Sequence, residues 1–255
     1  MELIDSHCHL YDSAFAGDIE AVLERARGAG VKRFYLPAID SEHESAMLDL
    51  EARYPGECFA MQGLHPCSVK ENVKDELSRV ERSLEKRRFV AVGEIGLDFY
   101  WDRTFEREQY QAFHQQIEWA LHYHLPIVIH SRESIDQTIG VVREHQRGNL
   151  CGIFHCFNET EDAAKQITGL GFFLGIGGPL TYKNSKLPVA LQNIPLENIV
   201  LETDAPYLPP APYRGKRNES SYLIYVASKL AEIKGVDMGT VASVTTANAL
   251  KIFGE

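Results

Sequence analysis

The sequence predicts a single (β/α)₈ barrel, an α/β fold in which eight parallel strands alternate with helices. Eight short and almost continuously apolar segments recur, as expected for parallel strands that are buried on both faces. Amphipathic stretches separate them, and the length of 255 residues suits one such barrel. The apolar segments are residues 3–4, 33–37, 58–61, 89–92, 126–129, 151–154, 172–176 and 199–201.

The connecting segments have helical patterns. Residues 18–29 carry apolar side chains at helical spacing and are followed by a glycine. Ser41 and Glu44 have capping-box spacing, so Ser41 is expected to cap the next helix. Residues 105–124 form the longest predicted helix, which must end before Pro126.

The alternative fold is an open, doubly wound sheet. That fold would require a nucleotide-binding G-x-G-x-x-G turn that opens a helix, and residues 171–175 are strand-like instead. The sequence has neither a long linker nor a solenoid-type repeat. We therefore expect residues 1–255 to form one domain.

Composition narrows the class of protein. The net charge of −10 argues against a broad nucleic-acid-binding surface, although bound metal ions could supply positive charge locally for such a substrate. The five cysteines lack CxxC spacing and are expected to be reduced thiols. No signal peptide or membrane-length apolar run is evident, so the expected location is the cytoplasm. No obligate protein partner is evident.

Metal-ligating side chains recur near the ends of the predicted strands. His7 and His9 are two residues apart at the end of the first strand, so they point to one face. In a barrel, residues at the carboxyl ends of the strands converge. The candidate metal ligands are His7, His9, Glu94, His130, His155 and Asp204.

Four imidazoles and two carboxylates suit a pair of divalent ions with a shared ligand. Glu94 is the candidate bridge, because a carboxylate has two oxygens to offer. Two bound cations would make a hydroxide nucleophile from water near neutral pH. The mixed ligand set is compatible with Zn²⁺, Mn²⁺, Ni²⁺ or Mg²⁺. The remaining histidines are expected on solvated helical faces; they are His43, His114, His122, His124 and His145.

Other polar residues are expected at the same rim. His65 could donate to a substrate oxygen, and Arg132 could pair with a phosphate or form a salt bridge with Glu133 or Asp98. Asp98 is also a candidate to orient a ligand histidine, as is Glu202. A basic segment follows the last strand, at residues 213–218; it is either a phosphate-binding loop or a solvated one.

These residues resemble the motifs of the TatD family of metal-dependent hydrolases, within the amidohydrolase-like superfamily. The matching segments are residues 5–9, 63–66, 93–99, 130–132, 155–157 and 202–208, and the basic loop at residues 214–219 resembles the family's own. Two positions depart from the family pattern. Asn158-Glu159 replaces Ser or Thr followed by Gly, and Ser220 replaces Pro. Both lie in rim loops, where substrate preference is set.

The resemblance implies a TIM barrel, a divalent-metal centre and deoxyribonuclease activity, with 3′→5′ exonuclease action on single-stranded DNA or RNA for some members. It implies one metal site of His7, His9, Glu94 and Asp204, and a second of Glu94, His130 and His155. The residues expected to act in catalysis are Glu94, Asp204, His65 and Arg132. Two alternatives are a hydrolase of small-molecule or aminoacyl esters, amides or lactones, and a non-catalytic metal-binding scaffold.

Overall fold

A computed structural model describes residues 1–254 and contains eight strands and nine α-helices in that range. The strands are β1 (Leu3–Asp5), β2 (Val31–Leu36), β3 (Cys58–Ala60), β4 (Val92–Asp98), β5 (Ile127–Arg132), β6 (Gly152–Phe154), β7 (Phe173–Ile176) and β8 (Ile199–Leu201). The helices are α1 (Ile19–Gly28), α2 (Ser41–Arg53), α3 (Val73–Lys86), α4 (Glu106–Tyr123), α5 (Ile135–His145), α6 (Glu161–Gly169), α7 (Leu187–Leu191), α8 (Leu223–Lys234) and α9 (Met238–Phe253).

The strands are all parallel and follow one another in sequence order. They form a three-stranded sheet, β1 to β3, and a five-stranded sheet, β4 to β8. Backbone hydrogen bonds join the two sheets at both edges: Gln62 N donates to Ala91 O at 3.1 Å, and Ser6 N donates to Leu201 O at 3.0 Å. Consecutive order with joined edges is the arrangement of a (β/α)₈ barrel, and the open-sheet alternative is wrong.

The apolar core has two parts. The larger cluster lies between the strands and the surrounding helices. The smaller one takes a side chain from each strand or from the residue beside it, and α9 packs against it; its strand members are Ile4, Tyr35, Met61, Ala91, Val128, Ile153, Phe173 and Val200. On most strands these positions precede the site residues, so an apolar layer separates the site from α9.

Two strand predictions needed correction. Strand β4 begins at Val92 and runs to Asp98, whereas the sequence predicted residues 89–92. Glu94 and Asp98 therefore lie within the strand rather than after it. Their charges indicated a loop, but each is buried against histidine side chains that compensate the cost of burial. Strand β5 likewise continues beyond the predicted residue 129 to Arg132.

The helix predictions were mostly confirmed. Helices α1 and α4 match the predicted ranges to within a residue at each end, and α4 is the longest described helix. The predicted capping box is wrong, because Asp40 caps α2 by accepting from Glu42 N. Ser41 instead donates its hydroxyl to Glu76, and Glu44 accepts from Gln62.

The expectation for the remaining histidines was only partly right. Nδ1 of His114 lies 2.7 Å from Nε2 of His145, so this pair links α4 to α5 instead of facing solvent separately. His124 is the left-handed residue that ends α4. Across residues 1–254, none of the helices combines the length and the apolar character that crossing a bilayer needs.

Candidate metal centre

The six candidate ligands meet at the carboxyl ends of the strands. His7 and His9 follow β1, Glu94 and His130 lie in β4 and β5, and His155 follows β6. Asp204 follows β8, with its backbone N–H bonded to His7 O at 2.9 Å. The side chains gather around the buried Glu94 carboxylate, which contacts every candidate imidazole within 4 Å. The convergence expected from the sequence is therefore present.

One carboxylate oxygen of Glu94, Oε2, faces the two histidines that follow β1. Oε2 lies 3.2 Å from Nε2 of His7 and 3.8 Å from Nε2 of His9. Asp204 Oδ1 completes this group, at 3.7 Å from His7 Nε2 and 3.4 Å from His9 Nε2. These four side chains converge on one small volume.

The other carboxylate oxygen of Glu94, Oε1, faces a different set of imidazoles. Oε1 lies 2.8 Å from Nδ1 of His130 and 3.7 Å from Nε2 of His155. Nε2 of His65 lies 3.4 Å from the same oxygen. One carboxylate thus has a separate group of nitrogen atoms on each of its oxygens.

Backbone irregularity places Glu94 at this position. The pairing of β4 with β5 shifts between Gly93 and Ile95, so Glu94 has no partner residue on β5. Burial alone would raise the pKa of the Glu94 carboxyl, but its contacts with the surrounding histidines outweigh burial and hold that pKa well below its ordinary value. The carboxylate is therefore ionised and available as a ligand.

In His9 and His155, the ring nitrogen that faces away from the centre contacts a neighbouring side chain. Tyr11 donates its only hydroxyl hydrogen to Pro37 O, so its oxygen must accept from Nδ1 of His9, 2.9 Å away. Nδ1 of His155 lies 2.8 Å from Oε1 of the Glu202 carboxylate, an ion-pair contact. This leaves Nε2 of His9 to offer a lone pair towards the centre, and in His155 it is likewise Nε2 that faces the centre.

His130 is oriented in the opposite sense. Its Nε2 lies 2.8 Å from Oδ2 of Asp98, so Nδ1 is the nitrogen that points towards Glu94. Burial alone would lower the pKa of His130, but the contacts with Asp98 and Glu94 outweigh it and raise that pKa. The predicted orienting role of Asp98 thus has a direct geometric basis, as does that of Glu202 at His155.

His65 has a tautomer that distinguishes it from the ligand histidines. Its Nδ1 accepts from the backbone N–H of Cys67 at 3.1 Å. Burial lowers the pKa of His65, so the ring is neutral at pH 7 and its single proton must lie on Nε2. That nitrogen points into the centre, 3.4 Å from Oε1 of Glu94, where it can donate a hydrogen bond.

The residues present fit a divalent cation. Neither ring nitrogen of His7 has a hydrogen-bond partner among the described residues, although the ring is fully buried and stacks on His155 at 3.4 Å between centroids. Burial lowers the pKa of His7, which leaves a neutral imidazole. A cation coordinated by His7 would satisfy a polar atom that the protein itself leaves without a partner.

Two residues of the site were missed from the sequence. Tyr11 contacts His9 through its hydroxyl. Its position two residues after His9 in the sequence was the only signal that it faces the same side. Asp5 joins the ends of β1 and β8 by accepting from the Thr203 N–H at 2.9 Å and from its hydroxyl at 2.6 Å. Burial raises the pKa of Asp5 to about 6. A lone acid at a strand end gives no sequence signal for such a contact.

The predicted cationic rim is smaller in the structure. Arg217 forms two 2.7 Å contacts with the Asp18 carboxylate, so its charge is already paired within the protein. Arg214 packs over the Tyr182 ring at 4.4 Å. Arg132 lies 3.9 Å above the Tyr100 ring, while Asp98, one of its expected partners, bonds His130.

Comparisons with known proteins relate the chain to a family of metal-dependent hydrolases. The family described as TatD related DNase matches residues 4–254. An uncharacterised metal-dependent hydrolase of Bacillus subtilis, YabD, is 34% identical over 252 residues, covering 98% of each chain. A relative from Erwinia tasmaniensis named 3′-5′ ssDNA/RNA exonuclease TatD is 29% identical, over 98% of this chain and 99% of its own.

A solved structure gives the same fold. The crystal structure of YjjV, a TatD homologue from Escherichia coli, superposes with a TM-score of 0.93 at 31% identity, covering 99% of this chain and 98% of that one. The barrel and the cluster of histidines and carboxylates define a metal-dependent hydrolase. The chain belongs to the TatD family.

Proposed function

We propose that this hydrolase cleaves phosphodiester bonds in nucleic acid, with single-stranded DNA as its main substrate and RNA as a second one. The observation that carries the proposal is the Glu94 carboxylate, which presents each oxygen to a separate set of imidazoles. The family description and the name of the Erwinia relative support the same substrate class. The family match from residue 4 to 254 supports one hydrolase domain over residues 1–255.

Two divalent ions would be held at this centre. The ligands for one would be His7, His9, Glu94 and Asp204, and those for the other Glu94, His130 and His155. Bound ions would supply Lewis acidity, which makes water more acidic and the phosphorus of a phosphodiester more electrophilic. A nitrogen-rich ligand set favours Zn²⁺, Mn²⁺ or Ni²⁺ over Mg²⁺.

The remaining polar groups would act on the substrate. His65 would donate its Nε2 proton to a phosphate oxygen as negative charge develops there. Asp204 is more exposed than Glu94, at 15% against 2%, so it is the better placed carboxylate to accept the proton of the attacking water. Arg132 lies at the carboxyl end of β5, where its positive charge would pair with a phosphate of the substrate.

The test is a substrate screen on chelator-stripped protein that has been reloaded with each metal. We expect end-labelled single-stranded DNA to be shortened from its 3′ end, with RNA cleaved more slowly and no reaction after chelation. Glu94→Gln should reduce turnover at least 10³-fold, because it removes the charge that would serve two cations. It should also remove about one ion per chain by elemental analysis, whereas Glu85→Gln on α3 should change neither quantity.

The same screen examines the second candidate, a hydrolase of small esters, amides or lactones. The net charge of −10 favours that candidate, because an acidic surface repels a polyanion. Turnover of the ester panel without any cleavage of DNA or RNA would contradict the nuclease proposal. Retention of both ions and of full activity in Glu94→Gln would contradict the bridging role.

A further inference from the structure

Two large aromatic side chains lie exposed in the loop that follows β4. The Tyr100 side chain is 48% exposed and that of Trp101 is 67% exposed. Their rings meet edge to face, with centroids 4.9 Å apart. Burial of either ring would stabilise the fold, and the exposed rings forgo that gain. Exposed aromatic groups beside a catalytic centre are typical of ligand-binding surfaces.

Arg132 joins these rings into one surface. Its guanidinium carbon lies 3.9 Å from the centroid of Tyr100 and 5.2 Å from that of Trp101. Asp98 pairs with Arg132 across β4 and β5, and Phe99 N donates to Arg132 O at 3.0 Å. We call Tyr100, Trp101 and Arg132 the aromatic platform.

The aromatic platform is fixed relative to the candidate metal ligands. Oδ1 of Asp98 accepts from the backbone N–H groups of Tyr100 and Trp101, at 3.0 and 3.1 Å. Oδ2 of the same carboxylate contacts Nε2 of His130 at 2.8 Å. One side chain therefore holds both the loop and a candidate ligand, which gives the exposed rings a defined position beside the centre.

We propose that the aromatic platform stacks against a nucleobase of the single-stranded substrate, next to the phosphate held at the centre. This inference rests on the proposed function. Every base offers a π face, and an arginine beside the rings strengthens such stacking without selecting a sequence. Bases in a duplex are already stacked and paired, so the platform would favour single strands over duplexes.

Tryptophan fluorescence provides a binding signal that does not depend on turnover. The chain has two tryptophans, and Trp119 is only 8% exposed, so Trp119→Phe leaves Trp101 as the reporter. Metal-loaded Trp119→Phe protein would be titrated with a hydrolysis-resistant phosphorothioate tetranucleotide. We expect saturable quenching, and roughly tenfold weaker binding of the same backbone with abasic sites, since each stacked base contributes strongly to affinity.

Substitutions give the second readout. Trp101→Ala should raise KM for single-stranded DNA roughly tenfold and leave kcat almost unchanged, while Trp101→Phe should restore most of the loss. Val189→Ala is the matched control, because Val189 is an apolar side chain of α7 with 71% exposure. Its kinetics should equal those of the unmodified protein.

The outcomes separate the two proposals. Cleavage of single-stranded DNA with no quenching, equal affinity for the abasic strand and an unchanged KM in Trp101→Ala would overturn the stacking role alone. Base-dependent quenching without cleavage of any nucleic acid would support the platform and overturn the nuclease proposal. Neither quenching nor cleavage would overturn both.

Discussion

Nδ1 of His155 lies 2.8 Å from Oε1 of Glu202, a carboxylate that is fully buried behind the imidazole. The same oxygen accepts from the backbone N–H of Cys156 at 2.7 Å. Burial alone would lower the pKa of His155, but the charges of Glu202 and Glu94 outweigh it and raise that pKa to about 10. Glu202 therefore determines both the orientation and the charge of a candidate metal ligand.

The first prediction concerns this contact. Glu202→Gln keeps the size of the side chain and removes its charge, so the affinity for the more weakly held ion should fall by 10- to 100-fold. Metal titration of the stripped protein measures the change, and Glu85→Gln on α3 is the control. An unchanged affinity would mean that Glu202 supports the barrel without influencing the metal.

The second prediction concerns pH. A cation needs the lone pair on Nε2 of His155, and the raised pKa means that this nitrogen is protonated at pH 7 in metal-free protein. Metal affinity should therefore rise with pH up to about pH 10, with release of a proton on binding. Calorimetry in buffers of different ionisation enthalpy measures that proton. Its absence would show that His155 is neutral before the metal arrives.

The same pKa predicts how the metal-free fold responds to pH. A histidine with a raised pKa contributes stability that is complete below its ordinary value of 6.5 and is lost as pH rises through about 10. Thermal melting of stripped protein should thus show a loss of stability over this interval. Glu202→Gln should make the loss smaller, because it removes the main charge that raises the pKa.

The third prediction concerns the space that Glu202 occupies. A Cβ atom at Gly175 would lie 2.2 Å from Oε2 of Glu202 and 3.2 Å from Cα of His155. Gly175→Ala should therefore destabilise the protein by about 2 kcal/mol and reduce metal content. Gly140→Ala is the matched control, because nothing lies within 4 Å of that position in α5. Denaturant unfolding should show Gly140→Ala to be neutral or slightly stabilising.

The fourth prediction separates a donor from a ligand. His65 has its proton on Nε2, so His65→Gln should lower kcat by about 10²-fold while metal content stays unchanged. His130→Ala should lose metal as well as activity, because its Nδ1 is the nitrogen that faces the Glu94 carboxylate in the centre. Measuring metal content by elemental analysis together with kcat for both variants distinguishes a hydrogen-bond donor from a metal ligand. Loss of an ion from His65→Gln would identify His65 as a ligand.

Much of the fold could be predicted from the sequence, because its signals are local. Near-continuous apolar segments identify strands that are buried on both faces, and β8 was placed at its observed bounds. The residues at the strand ends then had to converge, since parallel strands in a barrel present their carboxyl ends to one mouth. His7 and Asp204 could be brought together in this way without any knowledge of distances.

Contacts between distant side chains could not be predicted in the same way. Glu94 is polar, which indicated the end of a strand, and only its histidine neighbours explain its place inside β4. The basic segment at residues 213–218 allowed either a phosphate-binding or a solvated loop, and only the structure shows that Arg217 pairs with Asp18. Tyr11 is an aromatic residue like any other until its hydroxyl is found beside His9.

The contact between Asp5 and Thr203 has a consequence for biosynthesis. These residues are 198 positions apart in the chain, and their contact joins the first strand to the last. A ribosome delivers the amino-terminal histidines long before Asp204, so a nascent chain carries only part of the ligand set for most of its synthesis. Capture of metal by the full ligand set must therefore follow the synthesis of Asp204, when most of the chain has been made.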